Sequence, residues 1–261
     1  MNDHLKRVAA HHDHWSETYD SDYFEHYGLY HKVTLDNIQR FLPSKKDAAI
    51  LDAGGGTGIF SVELAKIGYQ VVLTDISQEM LEKAREKIAR LGLENRVEVK
   101  EADICHMPEF EDERFAMVLC EGDPLSYCGD HEAALRELVR VVRLGGAVIA
   151  SVDNRAGVLN WLRDKENREA VERLLATGQV LIPEGYMIHA FTAEELRSLF
   201  ESNGLAVERI IGKLVIARHF RRFDGDDPEV REWLFRLELE YNDNPAFYPW
   251  AGHLEIAGRK A

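Results

Sequence analysis

The residues best suited to chemistry stand in a glycine-rich stretch near the start of the chain. From Ile50 to Phe60 the sequence reads Ile-Leu-Asp-Ala-Gly-Gly-Gly-Thr-Gly-Ile-Phe. An apolar run precedes the glycines and a helical pattern with Leu64 and Ile67 follows them, which predicts a strand, a tight turn and a helix. Glycines let the backbone approach a ligand without a Cβ, and free N–H groups at a helix start favour anionic groups. The first such turn of a doubly wound sheet holds a nucleotide-like ligand.

The spacing within this turn separates two kinds of ligand. Four positions follow the pattern D-x-G-x-G-x-G: Asp52, Gly54, Gly56 and Gly58. A dinucleotide fingerprint requires G-x-G-x-x-G, and Ile59 stands where its third glycine would be. A phosphate loop requires Gly-Lys-Ser or Gly-Lys-Thr, which does not follow. The stretch resembles the first motif of the class I S-adenosylmethionine-dependent methyltransferases.

This resemblance implies roles for acidic residues after two further predicted strands. Asp75 matches the acid that accepts hydrogen bonds from both ribose hydroxyls, although sheets that bind NAD use the same device and a helix cap is compatible with it. Asp103 with Ile104 matches the acid and the apolar neighbour at the adenine ring. Glu101 would point the same way as Asp103 in an extended strand, so two acids compete for that role and Asp103 is preferred.

The resemblance places cofactor contacts both in these motifs and beside them. Tyr19 matches a tyrosine that often faces the cofactor, and Met80 could contact the adenine or belong to the core. The full predicted set is Tyr19, Asp52, Ala53, Gly54, Gly56, Gly58, Asp75, Ile76, Met80, Ala102, Asp103, Ile104, Cys120 and Glu121.

Candidate catalytic residues follow the fourth predicted strand or lie near the end of a later predicted insertion. The segment Glu121-Gly-Asp-Pro-Leu-Ser-Tyr127 loosely resembles a motif with which some methyltransferases hold an amino nitrogen, but Leu125 replaces a proline and Ser126 is inserted. It therefore predicts a loop for a small-molecule substrate. His189 has an ordinary pKa suited to a general base, although a lone histidine is commonly structural. The candidates are His189, Glu121, Asp123 and Tyr127. Arg155 could clamp a substrate carboxylate or form a surface ion pair.

Composition limits the partners. The 261 residues carry a formal net charge of −14, which argues against a partner held mainly by phosphate contacts. A small basic cluster, Arg218, His219, Arg221 and Arg222, either contacts an anionic substrate or is solvated. The His11, His12 and His14 cluster has no second ligand group beside it, so no metal is expected.

Cysteine usage and the absence of an apolar signal bear on location. The three cysteines lack a C-x-x-C spacing, which favours reduced thiols. Neither a signal core nor an apolar run near the ~20 residues of a membrane span is present. A cytoplasmic protein without membrane or nucleic-acid partners, monomeric or homodimeric, is expected.

The elements that must position these residues form one predicted α/β domain over residues 1–261. The resemblance implies a Rossmann-like seven-stranded sheet with helices on both faces and an antiparallel last strand beside the fifth. Residues 1–46 are predicted as a helical lid over the cofactor, 47–153 as the cofactor-binding half, 154–190 as a helical insertion and 191–261 as the rest of the sheet. Strands are predicted at 115–120, 147–152, 205–219 and 253–259, and helices at 131–142, 193–203 and 228–241.

The implied function is transfer of a methyl group from S-adenosylmethionine to a small-molecule acceptor, with S-adenosylhomocysteine as the product. Two alternatives stay open. A non-catalytic protein that binds this cofactor would have the same motifs, because no residue is an unambiguous catalyst. An NAD-dependent oxidoreductase would share the sheet and Asp75, but Ile59 and the predicted C-terminal strand disfavour it.

Overall fold

A computed structural model describes residues 1–162, 167–220 and 227–261. Its main sheet has seven strands, which are β1 (Ala49–Ala53), β2 (Gln70–Asp75), β3 (Val97–Glu101), β4 (Phe115–Cys120), β5 (Val142–Asp153), β8 (Leu205–Lys213) and β9 (His253–Lys260). Their order is β3-β2-β1-β4-β5-β9-β8. The first five strands are parallel, and β9 pairs antiparallel with both β5 and β8. The predicted sheet, with its antiparallel last strand beside the fifth, is confirmed.

Ten helices surround this sheet in the described ranges. They are α1 (Asp3–Trp15), α2 (Tyr19–Phe41), α3 (Ile59–Lys66), α4 (Gln78–Arg90), α5 (Pro124–Tyr127), α6 (His131–Val141), α7 (Arg155–Trp161), α8 (Arg168–Thr177), α9 (Ala193–Ser202) and α10 (Pro228–Tyr241). Thr192 caps α9 through a capping box in which its side chain accepts from the backbone N–H of Glu195.

The central strands are apolar on both faces because helices cover both faces. In β1, Leu51 packs into one apolar core and its neighbour Ile50 into another. In β4, Val118 and Met117 divide in the same way, as successive side chains of a strand must. The carboxyl ends of the parallel strands are left to form the site.

Several predicted boundaries differ from the observed ones. β5 begins at Val142 instead of Ala147, because Val142 already pairs with Phe115 before an irregularity in the register. β8 ends at Lys213 instead of His219, since Leu214 adopts a left-handed conformation (φ 62°) and a short 3₁₀ turn follows at Ala217–His219. α6 accordingly ends at Val141.

The segment predicted as a helical insertion contains strands as well as helices. After α7 and α8, the chain forms an antiparallel pair, β6 (Gln179–Leu181) and β7 (Met187–His189). Val180 and Ile188 lie opposite each other in this pair and are both buried, while the neighbours of Val180 are exposed. This alternation has the period of a strand, and the preceding helical pattern obscures it in the sequence.

Within the described ranges, none of the helices is both long and apolar enough to cross a membrane.

Candidate active site

A first cavity opens at the carboxyl ends of β1, β2 and β4, under the N-terminal helices. The sheet side contributes the glycine turn, Asp75, Asp103 and Glu121. The helices α1 and α2 contribute a cover of mixed apolar and aromatic side chains: Leu5, Val8, His12, Tyr19, Tyr23 and Tyr30. This is the edge at which open α/β sheets bind their ligands.

The glycine turn needs glycine for two separate reasons. Gly54 and Gly56 have positive φ angles of 72° and 56°, which side chains rarely allow. A Cβ on Gly54 would also lie 2.7 Å from Cγ of Pro124. The turn is therefore bare backbone facing the cavity, as a bound ligand requires.

Asp75 organises this turn at the end of β2. Its carboxylate accepts hydrogen bonds from the backbone N–H of Gly56 (2.9 Å) and that of Ser77 (2.9 Å). The side chain of Ser77 in turn caps α4 by accepting from Met80 N at 3.1 Å. Ser77 is therefore the cap of α4, and Asp75 faces the cavity.

The far wall is formed where β3 ends. Asp103 and Ile104 line the cavity together with Met80. Glu101 instead is exposed and accepts a hydrogen bond from the side chain of Gln78. The geometry thus separates the two acids that the sequence left in competition, and it brings only Asp103 to the cavity.

Helix α1 is fastened over this cavity by polar contacts with distant parts of the chain. Asp13 accepts a hydrogen bond from Oγ of Ser77 at 2.6 Å. An imidazole nitrogen of His4 lies 2.7 Å from the carbonyl oxygen of Tyr127, and Arg7 donates to the carbonyl of Gly185 at 3.1 Å. These contacts hold α1 against the end of the sheet that carries the glycine turn.

Glu121, at the end of β4, belongs to a buried charge network. Its carboxylate lies 2.6 Å from Nζ of Lys213, which lies equally close to Glu255. The lysine also donates to the hydroxyl of Tyr30 at 3.2 Å, and Asn37 donates to Glu255. Burial and the nearby Glu255 raise the pKa of Glu121 well above its usual range, while Lys213 opposes that shift.

A second cavity adjoins the first beyond Gly122. The two share His12, Tyr19, Tyr23, Tyr30, Gly122 and Tyr127. Asp123 and His253 line only the second cavity, and Nδ1 of His253 lies 2.9 Å from a carboxylate oxygen of Asp123. Asp123 has a φ of 67°, a strained conformation of the kind found at ligand sites.

Asp153, behind this pair, is fully buried. Burial and the neighbouring Asp123 raise the pKa of Asp153 to about 7, while His253 and Tyr127 oppose the shift. Burial alone would raise the pKa of Asp123, but His253 and Lys213 together lower it. Two neighbouring carboxyl groups at the ends of β4 and β5 thus have pKa values that are shifted in opposite directions.

Most of the sequence-predicted residues are brought together at the first cavity. Those that line it are Tyr19, Gly54, Gly56, Asp75, Ile76, Met80, Ala102, Asp103, Ile104, Glu121 and Tyr127. Asp52, Ala53, Gly58 and Cys120 are not among its lining residues. Asp52 is fully buried beneath the turn, where it accepts from Oγ of Ser61 at 2.6 Å.

His189 lies apart from both cavities. It sits in β7 with its ring centroid 4.5 Å from those of His131 and Phe191, and it lines a third cavity with Gln179. Burial and the neighbouring His131 lower the pKa of His189 to about 4.

The structure describes Arg155 and part of the basic cluster. Arg155 forms an ion pair with Glu195 at 2.6 Å, which is the surface alternative for this residue. In the cluster, Arg218 donates to the carbonyl of Trp250. Arg221 and Arg222 lie outside the described residues.

Three residues at the edge of the site escape sequence reasoning. Lys213, Glu255 and His253 come from β8 and β9, the strands most distant in sequence from the glycine turn. Only the strand pairing, which sets Lys213 opposite His253 and thus close to Glu255, brings them to the site. A lysine directly after Ile211 and Gly212 and a glutamate between Leu254 and Ile256 were the available signal.

Comparison with known proteins agrees with this geometry. Residues 50–146 match the model of a methyltransferase domain. Residues 50–146 therefore form a methyltransferase domain, in a sheet with the strand order of the class I S-adenosylmethionine-dependent methyltransferases. S-adenosylmethionine is accordingly its cofactor, and the bare glycine turn with the Asp75 carboxylate beside it suits that molecule.

Relatives of this methyltransferase cover different shares of the chain. A malonyl-[acyl-carrier protein] O-methyltransferase of Salmonella typhimurium is 29% identical over 240 residues, 90% of each chain. A possible histamine N-methyltransferase of Thermotoga maritima is 20% identical, with a TM-score of 0.61 over 95% of this chain and 98% of that one. The [4+2]-cyclase SpnF has a TM-score of 0.61 at 20% identity, covering 87% of this chain and 81% of its own. Against the first curated relatives it matches, the chain spans 36–41% of their length.

Proposed function

We propose that this methyltransferase transfers a methyl group from S-adenosylmethionine to a small-molecule acceptor. The observation that carries the proposal is the pair of adjoining cavities under α1 and α2. The first has the features of the family's cofactor site, and the second continues from it past Gly122 and Tyr127. A cover made of the chain's own N-terminal helices favours an acceptor small enough to be enclosed.

Different residues of the first cavity would bind different parts of the cofactor. Asp75 would accept hydrogen bonds from the ribose hydroxyls, and Asp103 with Ile104 would face the adenine. The backbone of the glycine turn would approach the amino acid end. The cofactor supplies an electrophilic methyl group on a sulfonium, so the protein must align an acceptor and exclude water.

The second cavity would orient the acceptor. Tyr127 borders both cavities, and burial with the nearby Asp153 raises its pKa well above the usual range, which keeps its hydroxyl neutral. Glu121 is held by Lys213 and would present a carboxyl oxygen to the sulfonium end of the cofactor. We assign His189 no proton transfer, because it lines neither cavity and because its lowered pKa makes it a weak base.

The relatives support a transferase but do not specify an acceptor. One neighbour is described as a possible histamine N-methyltransferase and one relative as an O-methyltransferase of a malonyl group on a carrier protein. The [4+2]-cyclase SpnF has the same fold under a name that is not a methyltransferase's, so the fold by itself does not establish methyl transfer.

Calorimetry with S-adenosylmethionine, S-adenosylhomocysteine and NAD is the first test. We expect the first two to bind and NAD not to bind. A radiolabelled methyl transfer assay over a panel of small amines, thiols, phenols and carboxylates then tests catalysis. Cofactor binding without transfer to any acceptor would support the non-catalytic alternative, and binding of NAD alone would reject the methyltransferase reaction.

A further inference from the structure

Three side chains that are far apart in sequence converge behind the second cavity. Asp123 follows β4, Asp153 ends β5, and His253 begins β9 opposite Asp153 in the strand register. Each offers one nitrogen or oxygen atom to a group whose members all lie within 4.8 Å of one another. Nδ1 of His253 lies 2.9 Å from Asp123 and 3.9 Å from Asp153.

The donor atoms of this cluster lack hydrogen bonds although they are buried. Neither carboxylate oxygen of Asp153 accepts a hydrogen bond of good geometry, and neither does Oδ1 of Asp123. Nδ1 of His253 lies 2.9 Å from a carboxylate oxygen of Asp123 but likewise has no well-formed hydrogen bond. Buried polar atoms are nearly always paired, so several orphans aimed at one point indicate a missing partner.

The charge of the surroundings shows the sign of that partner. Four buried carboxyl groups lie in this region: Glu121, Glu255, Asp123 and Asp153. The ammonium group of Lys213 lies 2.6 Å from both glutamates, so it is already engaged by them. Between the two aspartates lies the imidazole of His253, which carries at most one positive charge against two buried carboxyl groups.

We propose that Asp123, Asp153 and His253 bind a divalent metal cation. In an octahedral site with bonds near 2.1 Å, neighbouring ligands lie about 3 Å apart and off each other's hydrogen-bonding axes. The separation of His253 and Asp123 has that form, and Asp153, 3.9 Å from Nδ1 of His253, would move closer to join them. Two carboxylates with one imidazole suit Mn²⁺ or Zn²⁺ better than a soft metal.

The ligands leave one side of the cation open. Asp153 is fully buried, whereas the side chain of His253 is 23% exposed and lines the second cavity with Asp123. The remaining coordination positions would face that cavity, where water or an oxygen-bearing ligand would fill them. Binding of the metal itself does not depend on the proposed methyl transfer.

Titration of the chelator-treated full chain with MnCl₂, followed by electron paramagnetic resonance and calorimetry, tests the proposal. We expect one saturable Mn²⁺ per chain. Asp153→Asn and His253→Gln, which conserve shape, should each weaken binding by more than about tenfold. Asp36→Asn, a partly exposed acid paired with Arg40, is the matched control and should bind as the wild type does.

Two results would overturn the metal site. One is the absence of saturable Mn²⁺ binding at millimolar concentration, with Asp153→Asn raising the melting temperature, which would mean that the aspartates share a proton instead. The other is wild-type affinity in both Asp153→Asn and His253→Gln, which would place any bound metal elsewhere. If Asp153→Asn does not fold, His253→Gln and Asp123→Asn decide between the same outcomes.

Discussion

Asp52 shows what burial does to a single carboxyl group at the end of a strand. The sequence motif suggests cofactor contact, but the side chain lies under the glycine turn, where one oxygen accepts from Ser61 and the other has no partner. Burial raises the pKa of Asp52 to about 6, against which the hydrogen bond from Ser61 acts. Asp52 therefore packs beneath the glycine turn, and its buried environment favours the protonated carboxyl group.

This shift gives stability a defined pH dependence. Because the folded-state pKa of Asp52 exceeds its unfolded value, its contribution is full below about pH 4 and is lost as the pH rises through about 6. Urea unfolding at pH 4 and pH 7 should show that Asp52→Asn removes up to about 3 kcal/mol of this dependence. Asp36→Asn is the control, and identical dependences in Asp52→Asn and wild type would contradict the assignment.

Cofactor affinity should depend on two other residues of the same turn. Asp75→Ala removes the acceptor expected to hold the ribose and should weaken S-adenosylmethionine binding by about 10- to 100-fold, since hydrogen bonds to charged groups contribute about 1.5–3 kcal/mol. Gly56→Arg places a long side chain on a backbone with φ 56° that faces the cavity. Calorimetry that finds unchanged affinity in both variants would remove the basis of the cofactor site.

Helix α1 is the element whose role can be tested by one contact. Asp13 accepts from Ser77 at 2.6 Å and joins the helix to the cap of α4. Asp13→Ala should loosen this cover and speed release of S-adenosylhomocysteine by about tenfold, measured by stopped-flow chase. Asp3→Ala, on the same helix with a side chain 95% exposed, is the control. Equal release rates in both variants would mean that α1 does not retain the cofactor.

The strands β4, β8 and β9 are joined at one end by Lys213. Its ammonium group is fully buried between the glutamates that lie after β4 and in β9. Lys213→Met leaves these carboxylates unpaired and should lower the free energy of unfolding by about 3–5 kcal/mol, measured in urea. Adding Glu121→Gln and Glu255→Gln to Lys213→Met should recover part of the lost free energy of unfolding. A triple variant no more stable than Lys213→Met would show that charge is not the cause.

At the scale of the whole molecule, local patterns determined what the sequence could predict. The glycine turn, the continuous apolar strands and the Thr192 cap are each specified within a few residues, so the sheet and most helices followed from them. The start of β5 and the pair of strands β6 and β7 could not be predicted in this way. Their boundaries depend on the segments with which they pair, which lie elsewhere in the sequence. The site divides in the same way, since Asp75 and Asp103 lie in local motifs but Lys213 and His253 reach it only through long-range pairing.

The first cavity draws its walls from α1 through α5, so cofactor binding should stabilise the molecule as a unit. A ligand that binds only the folded state at 100 times its Kd adds about 2.7 kcal/mol, which corresponds to roughly 5–10 °C in melting temperature for a chain of this size. We expect such a shift with S-adenosylhomocysteine and none with NAD. We also expect hydrogen exchange to slow in α1 and α2, because the ligand would hold them on the sheet. A shift in melting temperature without added protection of these helices would show that the cofactor binds beneath an open cover, and the enclosed acceptor cavity would then lose its support.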